Sequence, residues 1–458
     1  MTDSRRGAWS LLLVLLLFAG SGLVGCGGSS ASGQAVVTVL GPWTGDEENG
    51  FLAMVRGFEK RYGIQVDYTG TRDAGAVLAS DLKDGNPPDL AVLATPGELR
   101  QDAAAGTLSP IDGALDPGSM ARQYGPGWLQ LMQAAGPHGA RHYYAIIVKA
   151  ALKSVIWYDP RRLPARDLGV LTSPGLTWGQ LMTLTAGLRA AGTSPWCMGM
   201  QDSSSSGWPG TDWIEDIVLH QSGAQVYDRW VAGAQPWTSA PIARAWQTFG
   251  QVANPPGLVR GGTQAALVTS YGVAGQPMFA SPPGCYLDHE ASFITAFYAR
   301  DKLGGSSGPG ARPRPKADFD FVPFPPLASA GRGTAEVAGD LLGMFRDTPA
   351  SRKLIAYLTR PGAQEAWVRR PGSGAISVNR LVPLGDYPDP VSRELAADLT
   401  GAASVRFDGS DSMPQVMESA FNNAVLEYLD SPGQLNVILH GLDQVRKAAY
   451  EPRTPAGP

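Results

Sequence analysis

The sequence predicts an α/β protein built as two lobes, and three observations support this. Strand-like and helix-like segments alternate along most of the chain, the order that builds sheets covered by helices. No internal repeat and no long linker divides the sequence, so both lobes would share one continuous chain. Without the first 25 residues, 458 − 25 = 433 residues remain, enough for two or three domains or a pair of large lobes.

The first elements are the clearest. Residues 35–40 form a β-branched apolar run that stops at a Gly-Pro pair, which predicts a buried strand. Apolar side chains at i, i+3, i+4 and i+7 predict a helix over 47–61, and alternation predicts a strand over 64–68. A second helix over 74–83 and a short strand over 89–93 follow. This order favours a largely parallel sheet.

The same patterns continue to the end of the chain. Further strands are predicted at 143–148, 154–158, 196–200, 319–323 and 336–345. Further helices are predicted at 177–189, 213–221, 242–252, 351–358, 364–369, 390–399, 414–429 and 435–450. The C-terminal third is therefore mostly helical.

The first residues have the layout of an export signal. Arg5 and Arg6 precede an apolar run over 11–18, which is too short to span a bilayer, and small residues then lead to Cys26. Leu23 to Cys26 resembles the bacterial lipobox, which predicts a lipoprotein signal peptide over 1–25, lipidation of Cys26 and a Gly/Ser-rich tether over 26–34. The alternative is an ordinary secreted protein in which Cys26 is incidental.

Composition limits the classes of partner. With 43% hydrophobic and 17% charged residues the chain can bury a sizeable core, and its formal charge of −4 is spread without a Lys/Arg cluster. A nucleic-acid partner is therefore not expected. Several of the twelve Trp, fourteen Tyr and thirteen Phe stand beside Pro, Gly and Asp, as in loops that present aromatic rings to sugars; burial is the alternative.

Two cysteines remain besides Cys26. In an exported protein, Cys197 and Cys285 are expected to be oxidised together, and their bridge would close a loop of about ninety residues. Two independent buried thiols are the competing interpretation.

Several short stretches, in their order, resemble extracellular solute-binding protein family 1, the carbohydrate-binding lipoproteins of ABC transporters that include maltose- and α-glucoside-binding proteins. Residues 38–66 resemble the family's first strand, helix and second strand, and 86–90 its Pro-Asp turn. Residues 150–159 resemble its first crossover between lobes, 176–181 its "TWDEL" helix start, and 413–421 a late helix that contacts ligand. The late helix departs from the family pattern, because two Asn follow Phe421 where the family often has an aromatic residue.

The resemblance implies a type II periplasmic-binding-protein fold with three interlobe crossovers and a ligand cleft between the lobes. By analogy the crossovers lie near 147–149, 286–287 and 344–345. Lobe 1 would then contain 35–148 plus 287–344, lobe 2 would contain 149–286 plus 345–450, and 451–458 would be a tail.

Polar and aromatic residues near the first strands are candidates for binding a sugar, whose hydroxyls require carboxylates and whose ring faces require aromatic side chains. Ligands of open α/β sheets bind at the carboxyl ends of strands. The candidates from lobe 1 are Trp43, Glu47, Arg72, Asp73 and Asp89. A surface ion pair between Arg72 and Asp73 is the alternative for those two.

The crossovers and the second lobe supply the remaining candidates. Residues 207–213 place two Trp and one Asp in a turn-rich segment before a helix, and Asp212 could instead be only the N-cap. The set consists of Lys153, Trp208, Asp212, Trp213, Glu290 and Asp340. Asp340 has the alternative of being a cap or strand-end residue.

The resemblance implies a binding protein without catalysis. The chain lacks a Gly-x-Ser-x-Gly elbow, a His-Glu-x-x-His zinc motif and a phosphate-binding loop, and its five His are scattered, so no cofactor or metal is expected. A glycoside hydrolase with paired carboxylates is the first alternative, a binding protein for another solute the second, and a structural or adhesion protein the third. The expected partners are a sugar, ABC permease subunits and a membrane reached through the lipid, with the chain itself an extracytoplasmic monomer.

Overall fold

The architecture was obtained as a computed structural model that describes residues 35–300, 302–303, 308, 310–402 and 404–450. The predicted signal peptide, Cys26, the tether over 26–34 and the tail over 451–458 lie outside these residues.

Twelve strands are present in the described residues. They are β1 (Val36–Gly41), β2 (Gln65–Gly70), β3 (Leu90–Leu93), β4 (Gln133–Ala135), β5 (Arg141–Tyr143), β6 (Ala145–Leu152), β7 (Val155–Tyr158), β8 (Trp196–Cys197), β9 (Leu287–His289), β10 (Asp320–Pro323), β11 (Thr334–Met344) and β12 (Ser404–Phe407).

Nineteen α-helices are present in the same part of the chain. They are α1 (Asp46–Tyr62), α2 (Ala74–Lys83), α3 (Pro96–Ala105), α4 (Pro117–Gln123), α5 (Pro126–Leu131), α6 (Ala165–Leu171), α7 (Trp178–Ala190), α8 (Trp208–Ser222), α9 (Ala224–Val231), α10 (Ala240–Ala253), α11 (Gly262–Val268), α12 (Tyr271–Ala274), α13 (Thr295–Arg300), α14 (Pro349–Leu358), α15 (Pro361–Val368), α16 (Pro390–Gly401), α17 (Gly409–Ser412), α18 (Gln415–Asp430) and α19 (Leu435–Tyr450). Of the described helices, none has the length and apolar character needed to cross a bilayer.

The first sheet has six strands in the order β12-β11-β3-β1-β2, with β6 also paired to β11. The pairs β1–β2, β1–β3 and β11–β12 are parallel, whereas β11 runs antiparallel to both β3 and β6. The sheet is therefore mixed. The predicted parallel order is confirmed for β1, β2 and β3, where α1 and α2 provide the crossovers that parallel strands require.

The second sheet, for which no strand direction was predicted, has four strands in the order β10-β7-β9-β8 and is mostly antiparallel. The connectivity gives the reason. The chain enters this sheet through β7 directly after leaving β6 of the first sheet, and it returns through β10 to reach β11 of the first sheet. Neighbouring strands that lead away from and back to the same sheet must run in opposite directions.

The chain passes between the sheets at three places. These are Lys153–Ser154 between β6 and β7, residues 324–333 between β10 and β11, and Asp408 between β12 and α17. The crossovers predicted near 286–287 and 344–345 are wrong, because β9 belongs to the second sheet and β11 runs through the first. The first crossover is displaced from 147–149, because β6 continues to Leu152.

The predicted lobe boundaries change accordingly. Strands β9 and β10 pair within the second sheet and not with lobe 1. Helices α14 and α15, predicted for lobe 2, pack in the core around β1 and α1, while α18 and α19 pack with α8 and α10 beside the second sheet. A third core cluster is continuous between the two sheets.

The predicted disulfide is confirmed. Cys197, in β8, is bonded to Cys285, which precedes β9, and both residues are buried. Because β8 and β9 are hydrogen-bonded neighbours, the bridge fastens a two-residue strand to its partner.

Candidate ligand-binding cleft

A cleft lies between the two sheets and encloses about 1080 Å³ of empty space, part of it open to solvent. Pro42 and Trp43 follow β1 and line it, as do Ala94 and Thr95, which follow β3. The carboxyl ends of these strands therefore form one side of the cleft, as open α/β sheets predict. Helix α1 follows β1 after Gly45, whose φ of 61 allows the turn into the helix. Helix α3 follows β3, and the Thr95 hydroxyl caps its N-terminus.

Four aromatic side chains form one side of the cleft and are called the aromatic wall: Trp208, Tyr271, Phe293 and Phe297. The ring centroids of Trp208 and Tyr271 lie 5.0 Å apart, and those of Tyr271 and Phe297 lie 5.5 Å apart. The Trp208 indole N–H donates to Asp202 over 2.9 Å, which fixes the orientation of its ring. The flat faces of these aromatic rings can stack on the weakly apolar face of a sugar ring.

The N-terminal turn of α8 positions Trp208. Gly207 has φ 109, a conformation that side chains rarely adopt, and a Cβ there would lie 2.3 Å from the backbone oxygen of Asn422 in α18. Glycine therefore allows α8 and α18 to approach closely, which brings Trp208 next to the α18 side chains in the cleft.

Four charged residues from the first sheet and its neighbours form the sheet-1 ion cluster: Glu47, Arg72, Lys149 and Asp340. Lys149 Nζ lies 2.7 Å from Glu47 Oε1 and 3.5 Å from Asp340 Oδ2, and Arg72 Nη2 lies 2.7 Å from Glu47 Oε2. Lys149 in β6 and Asp340 in β11 are directly paired, next to a register shift after Asp340. That irregularity aims the two side chains at the cleft.

The charges of this cluster support one another. Burial disfavours the carboxylate of Glu47, but Lys149 and Arg72 outweigh burial and lower the pKa of Glu47. Burial likewise disfavours the ammonium of Lys149, and Glu47 and Asp340 outweigh it, which raises the pKa of Lys149. Glu47 and Lys149 are therefore both charged at neutral pH.

A second group, the crossover cluster, lies where the chain passes between the sheets and contains Lys153, Asp212, Glu215, Glu336 and Asp408. Lys153 Nζ lies 2.9 Å from both oxygens of Asp212 and 2.6 Å from Asp408 Oδ2. Glu215 accepts a hydrogen bond of 3.0 Å from the Ser410 N–H and another from Gly409. All five side chains are buried.

One lysine cannot balance four buried carboxyl groups, and the pKa directions reflect this. Burial disfavours the ammonium of Lys153 and by itself would lower its pKa. Asp212 and Asp408 outweigh burial, so the pKa of Lys153 is raised. Burial and the neighbouring Glu215 raise the pKa of Glu336 well above its ordinary value. Asp408, by contrast, has a lowered pKa, because Lys153 outweighs burial there.

Oxygens of Asp212, Glu336 and Asp408 lie within 4.8 Å of one another, a spacing that could hold a metal ion. Lys153 Nζ already contacts two of the three carboxylates. The ammonium group of Lys153 therefore occupies the place that a metal ion would take between these carboxyl groups.

The remaining side of the cleft consists of Asp411 in α17 and Glu418 and Asn422 in α18, called the α17–α18 wall. Glu418 and Asn422 are four residues apart and so share one face of the helix. Asn422 is only 7% exposed, and its Oδ1 has no hydrogen-bond partner.

Of the predicted site residues, the structure brings six together in the cleft: Trp43, Glu47, Arg72, Lys153, Trp208 and Asp340. Trp43 offers little surface for stacking, because it is 1% exposed and its indole N–H donates to Asp340 over 2.8 Å. Arg72 is paired with Glu47 and not with Asp73.

The other five do not line the cleft. Asp73 is exposed at the start of α2, and Asp89 lies at the amino end of β3, where it bonds Thr38 and Arg346, so its predicted place near a carboxyl end is wrong. Asp212 is covered by Lys153 and lies inside α8, whose N-cap is Gly207, so the N-cap alternative is also wrong. Trp213 packs against Trp196, and Glu290 is buried beside β9.

Sequence reasoning missed several lining residues. Lys149 is the single charge in the buried run of β6, and that isolation was a usable signal. Tyr271, Phe293 and Phe297 carry no periodic pattern that separates them from core aromatics. Asp411 and Glu418 were not among the candidates, because nothing in the sequence separates them from other acidic residues.

Comparison with known proteins gives a consistent result. The family model described as bacterial extracellular solute-binding protein matches residues 44–365. The osmoprotective compounds-binding protein GgtB of Synechocystis sp. is 32% identical over 91% of this chain and 95% of its own. The alpha-glucosides-binding periplasmic protein AglE of Rhizobium meliloti is 31% identical over 90% of this chain and 86% of its own.

Solved structures show the same fold. The bacterial solute receptor AcbH, described as exclusively preferring β-D-galactopyranose, superposes with a TM-score of 0.76 at 15% identity, covering 92% of this chain and 100% of that one. The GacH receptor of Streptomyces glaucescens superposes with a TM-score of 0.68 at 15% identity over 92% and 100% of the two chains.

Proposed function

Because this chain belongs to the family of bacterial extracellular solute-binding proteins, we propose that it is the substrate-binding protein of an ABC importer. It captures a sugar in the cleft between its sheets and delivers the sugar to the permease in the membrane.

The observation that carries this proposal is the composition of the cleft. The aromatic wall and six carboxyl groups line the same cleft, so a ring can be covered on its apolar face while its hydroxyls donate hydrogen bonds. Since one relative is named for α-glucosides, the proposed ligand is an oligosaccharide such as an α-glucoside.

The ligand is released unchanged. Glu47, Asp340 and Asp408 contact Lys149, Arg72 or Lys153, which fixes these carboxylates as hydrogen-bond acceptors for sugar hydroxyls. Closure of the two sheets over the ligand by hinge motion at the three crossovers supplies the recognition step.

The proposed location is extracytoplasmic, with the chain anchored through a lipid on Cys26. Detergent phase separation of the wild type and Cys26→Ser tests the anchor. The wild type should enter the detergent phase and the variant should not; equal partitioning would refute lipidation.

The binding proposal is tested with the full chain, purified in mild detergent, by a thermal-shift screen of sugars, polyols, amino acids and peptides. A sugar that binds only the folded protein raises its stability by mass action. We expect micromolar affinity or better, about −8 kcal/mol. Shifts with peptides alone would refute the sugar assignment, and a cleaved product in the sugar incubation would favour the hydrolase.

A matched pair of variants locates the site. Trp208→Ala should weaken sugar binding by about 1–3 kcal/mol and remove the fluorescence change on closure. Trp178 is also partly buried at the first position of a helix but lies outside the cleft, so Trp178→Ala should bind normally. Equal affinity of the two variants for the sugar would show that the sugar does not bind at the aromatic wall.

A further inference from the structure

The cations of the cleft are all committed to protein carboxylates. Arg72 pairs with Glu47, Lys149 with Glu47 and Asp340, and Lys153 with Asp212 and Asp408. No other lysine or arginine of the described residues lines the cleft. Of the three, Arg72 is the most exposed, with 38% of its side chain accessible, and it is already paired.

The α17–α18 wall presents the opposite situation. Within the described part of the chain, no basic side chain lies within 4.0 Å of the carboxyl oxygens of Asp411 or Glu418. Asn422 Oδ1, nine-tenths buried on the same helix face as Glu418, is an acceptor without a donor. Asp411, Glu418 and Asn422 all line the cleft, and within the described residues no protein group donates a hydrogen bond to their side-chain oxygens.

We propose that the α17–α18 wall is a subsite for an ammonium group, so that the preferred sugar carries a protonated amine. This inference rests on the proposed function, because it names the ligand class of the same cleft. An ammonium has three N–H donors and a positive charge, which matches two carboxylates and one amide oxygen. An anionic sugar would meet six lining carboxyl groups and no available cation.

Protonation provides an independent signature. Burial is the main reason that the pKa of Glu418 is raised to about 8, with Asp408 and Glu98 adding to it and Lys153 opposing. Burial, then Asp408, Glu418 and Glu215, raise the pKa of Asp411, again against Lys153. A bound ammonium favours the charged carboxylates and lowers both pKa values, so binding releases protons near neutral pH.

The test compares probes of different charge on the full chain by calorimetry at about pH 6, where the free amine of a probe is mostly protonated already and takes up few protons on binding. N,N′-diacetylchitobiose is the neutral probe, its de-N-acetylated form is the amine-bearing probe, and trigalacturonic acid is the anionic probe. The amine-bearing probe should bind at least about tenfold more tightly than the neutral one, and the anionic probe should bind most weakly. Proton release, measured in buffers of different ionisation enthalpy, should accompany only the amine-bearing probe.

Variants assign the effect to the wall. Glu418→Gln should abolish the amine preference, and Asp411→Asn provides a second test if the first variant folds poorly. Glu427→Gln, an exposed acid on the same helix, is the matched control and should keep the preference.

Equal affinity for the neutral and amine-bearing probes, or a preference that persists in both wall variants, would overturn the subsite while leaving sugar binding intact. Absence of binding by any sugar in the wider screen would overturn the proposed function itself.

Discussion

Lys153 is the cation at which the three chain crossings meet, and replacing it by methionine tests whether the crossover cluster stabilises the fold. Lys153 belongs to the first crossing, Glu336 follows the second, and Asp408 forms the third. Methionine retains much of the apolar length of the side chain but removes the charge. Asp212 and Asp408 then lose the ammonium that lies 2.9 Å and 2.6 Å away.

The magnitude follows from burial. Removing one partner of a buried ion pair costs about 3–5 kcal/mol, because the remaining charge stays buried without compensation. For a folded region of about 400 residues, an unfolding entropy of about 2.1 cal/mol/K per residue converts this to a Tm decrease of about 4–6 °C. The loss should shrink at low pH, where Asp408, whose pKa is lowered because Lys153 outweighs burial, becomes protonated and needs no counter-charge.

Differential scanning calorimetry of the ligand-free protein measures this change. Lys316→Met is the control, since Lys316 also pairs with two carboxylates, Asp320 and Glu394, but its side chain is 46% exposed. Exposed pairs contribute little, so Lys316→Met should change stability by less than about 1 kcal/mol. If Lys153→Met unfolds at the temperature of Lys316→Met, the crossover cluster does not stabilise the fold as argued.

Three further predictions concern stability. The pKa values of Glu98 and Asp288, each about 7, and of Glu418, about 8, are raised by burial. The folded state therefore binds more protons than the unfolded state between about pH 4.5 and 8, and Tm should fall from pH 6 to pH 8.5; a rising Tm would contradict these directions. Replacing Cys197 and Cys285 by alanine opens a loop with a sequence separation of 88 and should cost about 4–5 kcal/mol in chemical denaturation, whereas two free thiols in the unreduced wild type would refute the bridge. Gly207→Ala should cost about 1–3 kcal/mol more than Gly192→Ala, since Gly192 has φ 89 but nothing within 4 Å of its added Cβ; equal costs would exclude the contact with Asn422.

Local patterns predicted the elements whose boundaries are determined by neighbouring residues. The helices over 74–83 and 435–450 have the predicted bounds, and α7 begins where Thr177 and Gln180 form a capping box. These features depend on side chains within one or two helical turns, which sequence displays directly.

Pairings between distant segments were not accessible in this way. The crossover predicted near 286–287 failed because β9 pairs with β7 and β8, and the one predicted near 344–345 failed because β11 pairs with β3 and β6. The partner of each charged side chain could not be predicted either, because the partners are also distant in sequence. Asp212 read equally well as a cap or a ligand contact, and only the position of Lys153 decides that it is a buried counter-ion.

The crossover cluster also links the hinge to the cleft. Lys153 Nζ lies 4.9 Å from the ring centroid of Trp208, and Asp408 lines the cleft while it holds the same ammonium. The backbone ties the crossings together, because the Lys153 N–H donates to the Glu336 carbonyl and the Asp408 N–H donates to the Val337 carbonyl, both over 2.8 Å. With these bonds intact, the proposed closure would bend the chain in the parts of the three crossings outside them: Ser154, 324–333 and the residues just after Asp408. A ligand that contacts Trp208 or Asp411 therefore lies next to the segments that must move.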